Sequence, residues 1–167
     1  MFNIGDVVVY TTYGICKITE RITRSFNGSD NEYFVLVPLS EAKTQLTIPV
    51  NNPITLSRLH SLLSKDEISD VINQIPFLET YWVENENERK KTFAEIIKNG
   101  NRLDTLKMIK SIKHHQLSLK DKSRKLHACD EQSMKEAEKL IVDEFAYVLD
   151  IDKKELQLQI TKKLIGE

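Results

Sequence analysis

Cysteine and long apolar runs are both scarce in this sequence of 167 residues. The two cysteines, Cys16 and Cys129, lie far apart, so we expect two free thiols in a reducing compartment rather than a disulfide framework. No run approaches the roughly 20 apolar residues that a membrane-spanning helix requires. The N-terminus has no basic stretch ahead of an apolar core, so no signal peptide is expected. These absences predict a cytoplasmic protein that makes no membrane contact.

Motifs for catalysis and metal binding are missing as well. The chain has no phosphate-binding loop, no paired glycine turn before a helix and no nucleophile elbow. The histidines His60, His114, His115 and His127 do not combine with cysteine at the spacing of metal ligands. We therefore expect no catalytic residues, no metal, no cofactor and no small-molecule ligand.

The net charge of −1 is small, but the charge is unevenly distributed. Between Arg89 and Leu126 there are twelve basic residues and only three acidic ones. Lys107, Lys110 and Lys113 recur every three residues and predict a basic stripe along one helix face. Most lysine-rich faces are simply solvated, yet a local imbalance of this size is typical of binding to a phosphate backbone.

The first fifty residues predict a small, strongly bent β-barrel. The β-branched run Val7–Tyr10 is followed by turns at Gly14 and at Asn27-Gly28, and further β-rich runs cover 33–37 and 46–50. Short strands separated by Gly and Asn/Asp clusters are typical of hairpins. Residues 54–56 are a candidate for one more short strand. A barrel of this size cannot house a deep catalytic cleft, which favours a binding function.

The apolar spacing becomes helical in the second half of the chain. Ser64 and Glu67 form a capping-box pattern that opens a short helix ending at Pro76. We predict a helix that contains Trp82 and ends at Gly100, and a second one over 103–112. A polar loop is predicted over 116–129, and two more helices follow it, the last opened by Asp152. The predicted fold is α+β in two domains, with a barrel at 1–60, a short helix and linker at 61–80 and an all-α bundle at 81–167.

Trp82 is the only tryptophan, and two interpretations of it remain open. It is either a half-buried core residue near the seam between the domains or an aromatic wedge beside the basic face. Apolar wedges pressed into a minor groove are a known way to hold distorted DNA.

Several motifs resemble those of the CarD/CdnL family of bacterial RNA polymerase-binding transcription regulators. The N-terminal half carries Phe2-x-x-Gly5-Asp6-x-Val8-Val9-Tyr10, then Gly14, Ile18, Gly28, Tyr33-x-Val35-Leu36 and Ile48-Pro49-Val50. The C-terminal half is similar through Trp82, Lys98-Asn99-Gly100-Asn101 and Ala137-x-x-Leu140-x-x-x-Glu144-x-Ala146-x-x-Leu149. The resemblance implies that the barrel is Tudor-like or SH3-like. It also relates the barrel to the polymerase-binding part of the transcription-repair coupling factor.

The resemblance further implies where each partner binds. The barrel would dock on the β-subunit lobe of RNA polymerase, with Arg24 on a basic position used toward polymerase and Thr47 where other members carry arginine. The helical domain would contact promoter DNA at the upstream edge of the transcription bubble and prolong the open complex, with a tryptophan as wedge. In an alignment on Gly100, Glu86 falls on the wedge position and Trp82 lies about one turn earlier. His127 stands where a capping serine is usual, so Asp130 is expected to cap that helix.

These observations define two sets of candidate site residues. Arg24 and Thr47 are the candidates for polymerase binding. The candidates for DNA binding are Trp82, Arg89, Lys90, Lys98, Arg102, Lys107, Lys110 and Lys113. The alternative function is a protein–protein adaptor with a Tudor-like barrel that does not bind DNA.

Overall fold

The computed structural model describes residues 1–166, which form two compact units that divide after Leu62. The first unit contains an antiparallel five-stranded sheet, and the second is helical. The predicted α+β class is therefore confirmed. No helix in the described part of the chain combines the length and the apolar character that crossing a bilayer would need.

The N-terminal unit is organised around a sheet with the strand order β4-β3-β2-β1-β5. The strands are β1 (Val7–Tyr10), β2 (Gly14–Phe26), β3 (Ser29–Pro38), β4 (Leu46–Pro49) and β5 (Leu59–Ser61). Every neighbouring pair is antiparallel. Within the described residues, β4 and β5 are the two edges of the sheet.

Local turn chemistry and burial explain this unit. Asn27 and Gly28 both have positive φ (50° and 77°), as a two-residue hairpin loop between strands requires. One face of the sheet forms a core in which Cys16, Ile18 and Leu36 are each 0% exposed. Cys16 is thus a core residue, as expected, and burial raises the pKa of its thiol to about 11.

The strand predicted at residues 54–56 is wrong. These residues belong to the short helix α1 (Pro53–Leu56), because the Asn52 side chain accepts hydrogen bonds from the Ile54 and Thr55 N–H groups. Proline at the first helical position reinforces this start. The last strand, β5, begins only at Leu59.

Five helices build the second unit around one core. They are α2 (Lys65–Gln74), α3 (Glu86–Asn99), α4 (Arg102–Asp121), α5 (Ala128–Leu149) and α6 (Lys153–Ile165). Phe93, Leu106, Phe145, Leu156 and Leu164 are each at most 1% exposed in this core. It also contains Ile68, Val71 and Ile75, so the segment expected to be a short helix and linker packs within the helical unit.

The predicted ends of these helices are largely confirmed. Ser64 and Glu67 form the capping box, and its hydrogen bonds hold the pKa of Glu67 below its usual value. Gly100 ends α3 in the left-handed conformation, and the Asp152 carboxylate caps α6. Two boundaries differ from the prediction. Helix α4 continues through residues expected to be loop, as far as Asp121, and Trp82 lies ahead of α3, which Asn85 caps.

Candidate functional site

The two candidate polymerase-binding residues lie on the same face of the sheet. Arg24 lies opposite Asn31, and Thr47 lies opposite Val35. Because opposed residues share a face and residues alternate along a strand, these four side chains project to the same side. That side is opposite the Ile18 core. Arg24 and Thr47 are both exposed, so both are available to a partner.

Thr47 also lies on a free sheet edge. The Val50 N–H donates to the Glu32 carbonyl on β3. Because the hydrogen-bonding direction alternates in an antiparallel pair, the N–H and C=O of Thr47 point away from β3. Pro49 also falls on an outward position, where its missing N–H costs no ladder bond. The edge therefore offers backbone groups to an incoming strand near Thr47.

Arg24 belongs to an arm that extends past the rest of the sheet. Residues 24–31 of β2 and β3 pair only with one another, because the pairing of β2 with β1 extends no further than Lys17 and β4 pairs with β3 at positions 33–36. At the tip of this arm Phe26 is 71% exposed. The arm, the edge at Thr47 and the face that they share form one candidate protein-binding surface.

Arg89, a candidate for DNA binding, is instead buried in the helical unit. Its guanidinium makes two hydrogen bonds of 2.8 Å to the Asp130 carboxylate, and the two side chains are only 3% and 1% exposed. It also donates to the carbonyls of Val83 and Glu84. The expectation that Asp130 caps α5 is therefore wrong, because its carboxylate oxygens both accept hydrogen bonds from Arg89. His127, the residue at the cap position, makes no side-chain capping bond.

Arg102 is likewise engaged within the helical unit. Its guanidinium forms a two-bonded pair with the Glu144 carboxylate (2.7 and 2.9 Å). Glu144 is 2% exposed and also accepts the Leu63 N–H at 2.9 Å. The pair therefore links the start of the unit to α4 and α5.

Lys110 is not part of an exposed basic stripe. It is 7% exposed, and its ammonium donates to the carbonyls of Ile75, Pro76 and Leu78 at 3.1, 3.0 and 2.8 Å. These carbonyls lie in the short 3₁₀ turn Ile75–Phe77 after α2 and at the residue that ends it, where the helical ladder supplies fewer donors than there are acceptors. Lys110 therefore serves as an internal cap, which three-residue spacing alone could not reveal.

The two flanking lysines differ from Lys110 in their surroundings. The Lys113 ammonium lies 2.6 Å from the Glu138 carboxylate, and both side chains are about 15% exposed. The Lys107 ammonium lies 5.8 Å from the centre of the Tyr81 ring and is half-buried. The prediction of one exposed stripe is therefore wrong at Lys110, and Lys113 is neutralised by its partner.

Two candidates on α3 remain near solvent. Lys90 is exposed and pairs with Glu86 one turn earlier, at 3.2 Å. Exposed pairs of this kind contribute little to stability, so a phosphate could displace Glu86 from Lys90. Lys98 is half-buried in the last turn of α3 and forms no ion pair within residues 1–166.

Trp82 is covered by other side chains. The His115 ring stacks on it with centroids 3.6 Å apart and planes 11° apart, and the Arg89 guanidinium lies 4.6 Å from its centroid. A ring stacked that closely fills one face, so the guanidinium lies over the other. Phe93 meets the indole edge-on at 6.3 Å. This arrangement favours the structural interpretation of Trp82, since a wedge needs a free aromatic surface.

His115 is a partner that sequence reasoning had missed. Burial, followed by the nearby Arg89 charge, lowers its pKa, so the neutral imidazole stacks on the indole. The ion pairs that Asp130 and Glu144 form with Arg89 and Arg102 were missed as well. A charged residue at a core-facing position of a predicted helix was the available signal for both, because such residues are rarely buried without a partner.

Cys16 and Cys129 are free thiols, and Cys129 lies 3.6 Å from the Glu86 carboxylate. Among residues 1–166 no three His, Cys, Asp or Glu side chains are arranged to hold a metal ion.

Comparison with known proteins identifies a domain in the N-terminal unit. Residues 2–60 match the family model of the CarD-like/TRCF RID domain, which covers nearly all of the N-terminal unit. No curated protein matches the chain. The domain match supports a transcription-related protein that interacts with RNA polymerase. Residues 2–60, a little over a third of the chain, are thus similar to the CarD-like/TRCF RID domains.

Proposed function

We propose that this chain is a transcription regulator without catalytic activity that binds the β subunit of RNA polymerase and contacts promoter DNA. The N-terminal unit would act as a Tudor-like docking module, and the helical unit would prolong the open complex without reading sequence. The observation that carries the proposal is the domain match over residues 2–60. The exposed side chains of Arg24 and Thr47, on the face that they share, mark the surface on which docking would occur.

The free edge of β4 suggests how docking would proceed. An extended segment of the partner would add to the sheet at Thr47, and its main-chain hydrogen bonds would supply affinity. Arg24 would add a charge contact from the arm. Thr47 carries no charge, so the backbone edge and Arg24 would dominate the interaction.

Binding of the full chain to the isolated β-subunit lobe tests this proposal. The matched variants Arg24→Gln and Arg21→Gln each remove one charge from β2, but Arg21 lies on the opposite sheet face, paired with Glu32. We expect Arg24→Gln to weaken binding by about 10- to 150-fold, since a hydrogen bond to a charged group contributes about 1.5–3 kcal/mol. Arg21→Gln should change binding little. The wild-type chain's failure to bind the lobe would refute the proposal.

A second variant isolates the strand edge. Thr47→Pro removes one outward N–H while leaving the bonds between β3 and β4 in place, because Thr47 does not donate toward β3. We expect this variant to lose polymerase binding at an unchanged melting temperature. Thr47→Val, which keeps the N–H, is the matched control and should bind normally.

Contact of the isolated chain with DNA would be measurable at low salt, weak at physiological salt, and effective when polymerase carries the chain. Phosphate contacts position a protein without specifying sequence. A helical unit carried by polymerase meets the promoter at a high effective concentration, so that weak contacts suffice. This accounts for how a chain with a net charge of −1 could act on DNA.

The structure also supports the alternative function, a protein–protein adaptor that does not bind DNA. Arg89, Arg102, Lys110 and Lys113 are all engaged by internal partners, which removes half of the predicted DNA contacts. Titration of duplex DNA binding against salt separates the two functions. A phosphate-binding surface loses affinity steeply as salt rises, whereas an adaptor shows no binding at low salt.

A further inference from the structure

The internal pairing of so many cations raises the question of where the remaining positive charge lies. Four of the twelve basic residues between Arg89 and Leu126 fall within six positions at the end of α4 and in the loop that follows. They are Lys120, Lys122, Arg124 and Lys125, and all four are exposed. None of them forms an ion pair within the described part of the chain. We call these four residues the basic loop.

The backbone of the basic loop is well defined. Ser123 adopts a left-handed conformation with φ of 56°. Its N–H donates to the Lys120 carbonyl at 3.0 Å, and the Arg124 N–H donates to the Leu119 carbonyl at 2.8 Å. These two bonds form a Schellman motif, which sets the direction in which the chain leaves α4. The side chains of the loop are therefore presented from a fixed scaffold.

An open groove of about 520 Å³ lies beside this loop. Lys120, Arg124 and Lys125 line it together with Gln116, Leu117, Leu126 and Glu131. Glu131 is its single acidic residue, and the carboxylate pairs with Lys135 at 3.0 Å. The groove therefore has a positive wall with polar and apolar neighbours, and the one opposing charge is already partnered.

The stability of α4 does not account for this concentration of charge. A cation near a helix C-terminus stabilises the helix only slightly, and the effect fades within the last turn. Four cations in six positions also repel one another, and Asp121 is the one acidic residue among them. A polyanion relieves that repulsion, and the phosphates of duplex DNA are spaced closely enough to meet several cations at once.

We propose that the basic loop, rather than the helix faces of α3 and α4, is the surface that contacts the phosphate backbone of duplex DNA. The inference rests on the proposed DNA contact of the helical unit and assigns that contact to particular residues. Four phosphate contacts give a slope of about −3.6 for log affinity against log salt, and two contacts give about −1.8. Raising the salt from about 50 to 200 mM should therefore weaken binding about 150-fold in the first case and about 12-fold in the second.

The test measures fluorescence anisotropy of a labelled duplex with the full chain over this salt range. Lys122→Gln with Arg124→Gln should reduce the slope to about half of the wild-type value. Lys162→Gln with Lys163→Gln is the matched control, because it also removes two charges from the end of a helix. This control should keep the wild-type slope, and polymerase binding should be unchanged in both variants.

Each contrary result has a distinct meaning. If the loop variant keeps the wild-type slope while Lys98→Gln with Lys107→Gln lowers it, the inference is wrong and the proposed function stands. If the loop variant loses polymerase binding and keeps DNA binding, the loop contacts protein and the inference is wrong. If the wild-type chain binds no duplex even at low salt, the proposed DNA contact fails and the inference fails with it.

Discussion

Replacement of Trp82 by alanine distinguishes a structural tryptophan from a wedge, and the structure allows the effect to be estimated. Truncation of a fully buried tryptophan costs about 3–5 kcal/mol. Trp82 is half-buried, so roughly half of that applies, and the lost ring contacts with His115, Phe93 and Arg89 add about 1 kcal/mol. We therefore expect Trp82→Ala to lower the free energy of unfolding of the helical unit by about 3 kcal/mol.

Calorimetry of the full chain measures this loss. For a unit of this size, about 3 kcal/mol corresponds to a fall of about 12 °C in melting temperature. Trp82→Phe keeps a flat ring between His115 and Arg89, so it should lose less than half as much. A second measurement is the NMR titration of His115. Its pKa should rise toward the usual value in Trp82→Ala, because removing the indole admits water to the imidazole.

One result would refute this reasoning. If Trp82→Ala melts within a degree of wild type while the open complex on a forked promoter decays faster, Trp82 is a wedge. The two covered faces seen here would then have to open when the protein meets DNA.

Three further predictions follow from groups that the structure buries. Asp130→Ala should destabilise the helical unit by about 3–5 kcal/mol, since it leaves the Arg89 guanidinium buried without its partner. In urea unfolding, the double variant Arg89→Met with Asp130→Leu should recover most of this stability. If the double variant loses as much stability as Asp130→Ala, the reasoning about the buried pair is contradicted. Lys110→Met should cost about 1–3 kcal/mol, because the Pro76 and Leu78 carbonyls lose the ammonium donor while the Ile75 carbonyl keeps only the Leu78 N–H. DNA affinity should be unchanged, and reduced affinity without a loss of stability would mean that Lys110 reaches DNA. Iodoacetamide at pH 8 should modify Cys129 and spare Cys16, and rapid labelling of native Cys16 would refute its burial. Burial raises the pKa of the Cys16 thiol to about 11 in the folded chain. The stability that the buried neutral thiol contributes should therefore be complete below about pH 9 and be lost as the pH rises through 11.

Local chemistry explains why much of the fold could be predicted. The Asn27-Gly28 turn, the Ser64–Glu67 capping box and the Gly100 helix end each depend on a few neighbouring residues, and all three were predicted correctly. Errors arose where two local signals competed. At residues 54–56 the β-branched pattern favoured a strand, but the Asn52-Pro53 helix start determined the structure.

The candidate site was harder to predict, because charge can be counted from sequence whereas pairing cannot. Arg89 and Arg102 looked like surface cations, yet their partners Asp130 and Glu144 lie about forty residues away in the chain. Lys110 looked like part of a stripe, yet it caps a turn from another segment. Each of these roles depends on contacts between elements that helical spacing does not specify.

By itself, the sequence determined the class of this protein: an N-terminal β module with the motifs of a polymerase-interacting domain, followed by helices with a local excess of positive charge. These properties follow from short-range patterns and from composition, which need no three-dimensional information. Only the tertiary structure decided which of those charges remain available to a partner. Burial makes an unpaired charge costly, so each enclosed cation has carboxylate or carbonyl partners, whereas the basic loop remains exposed.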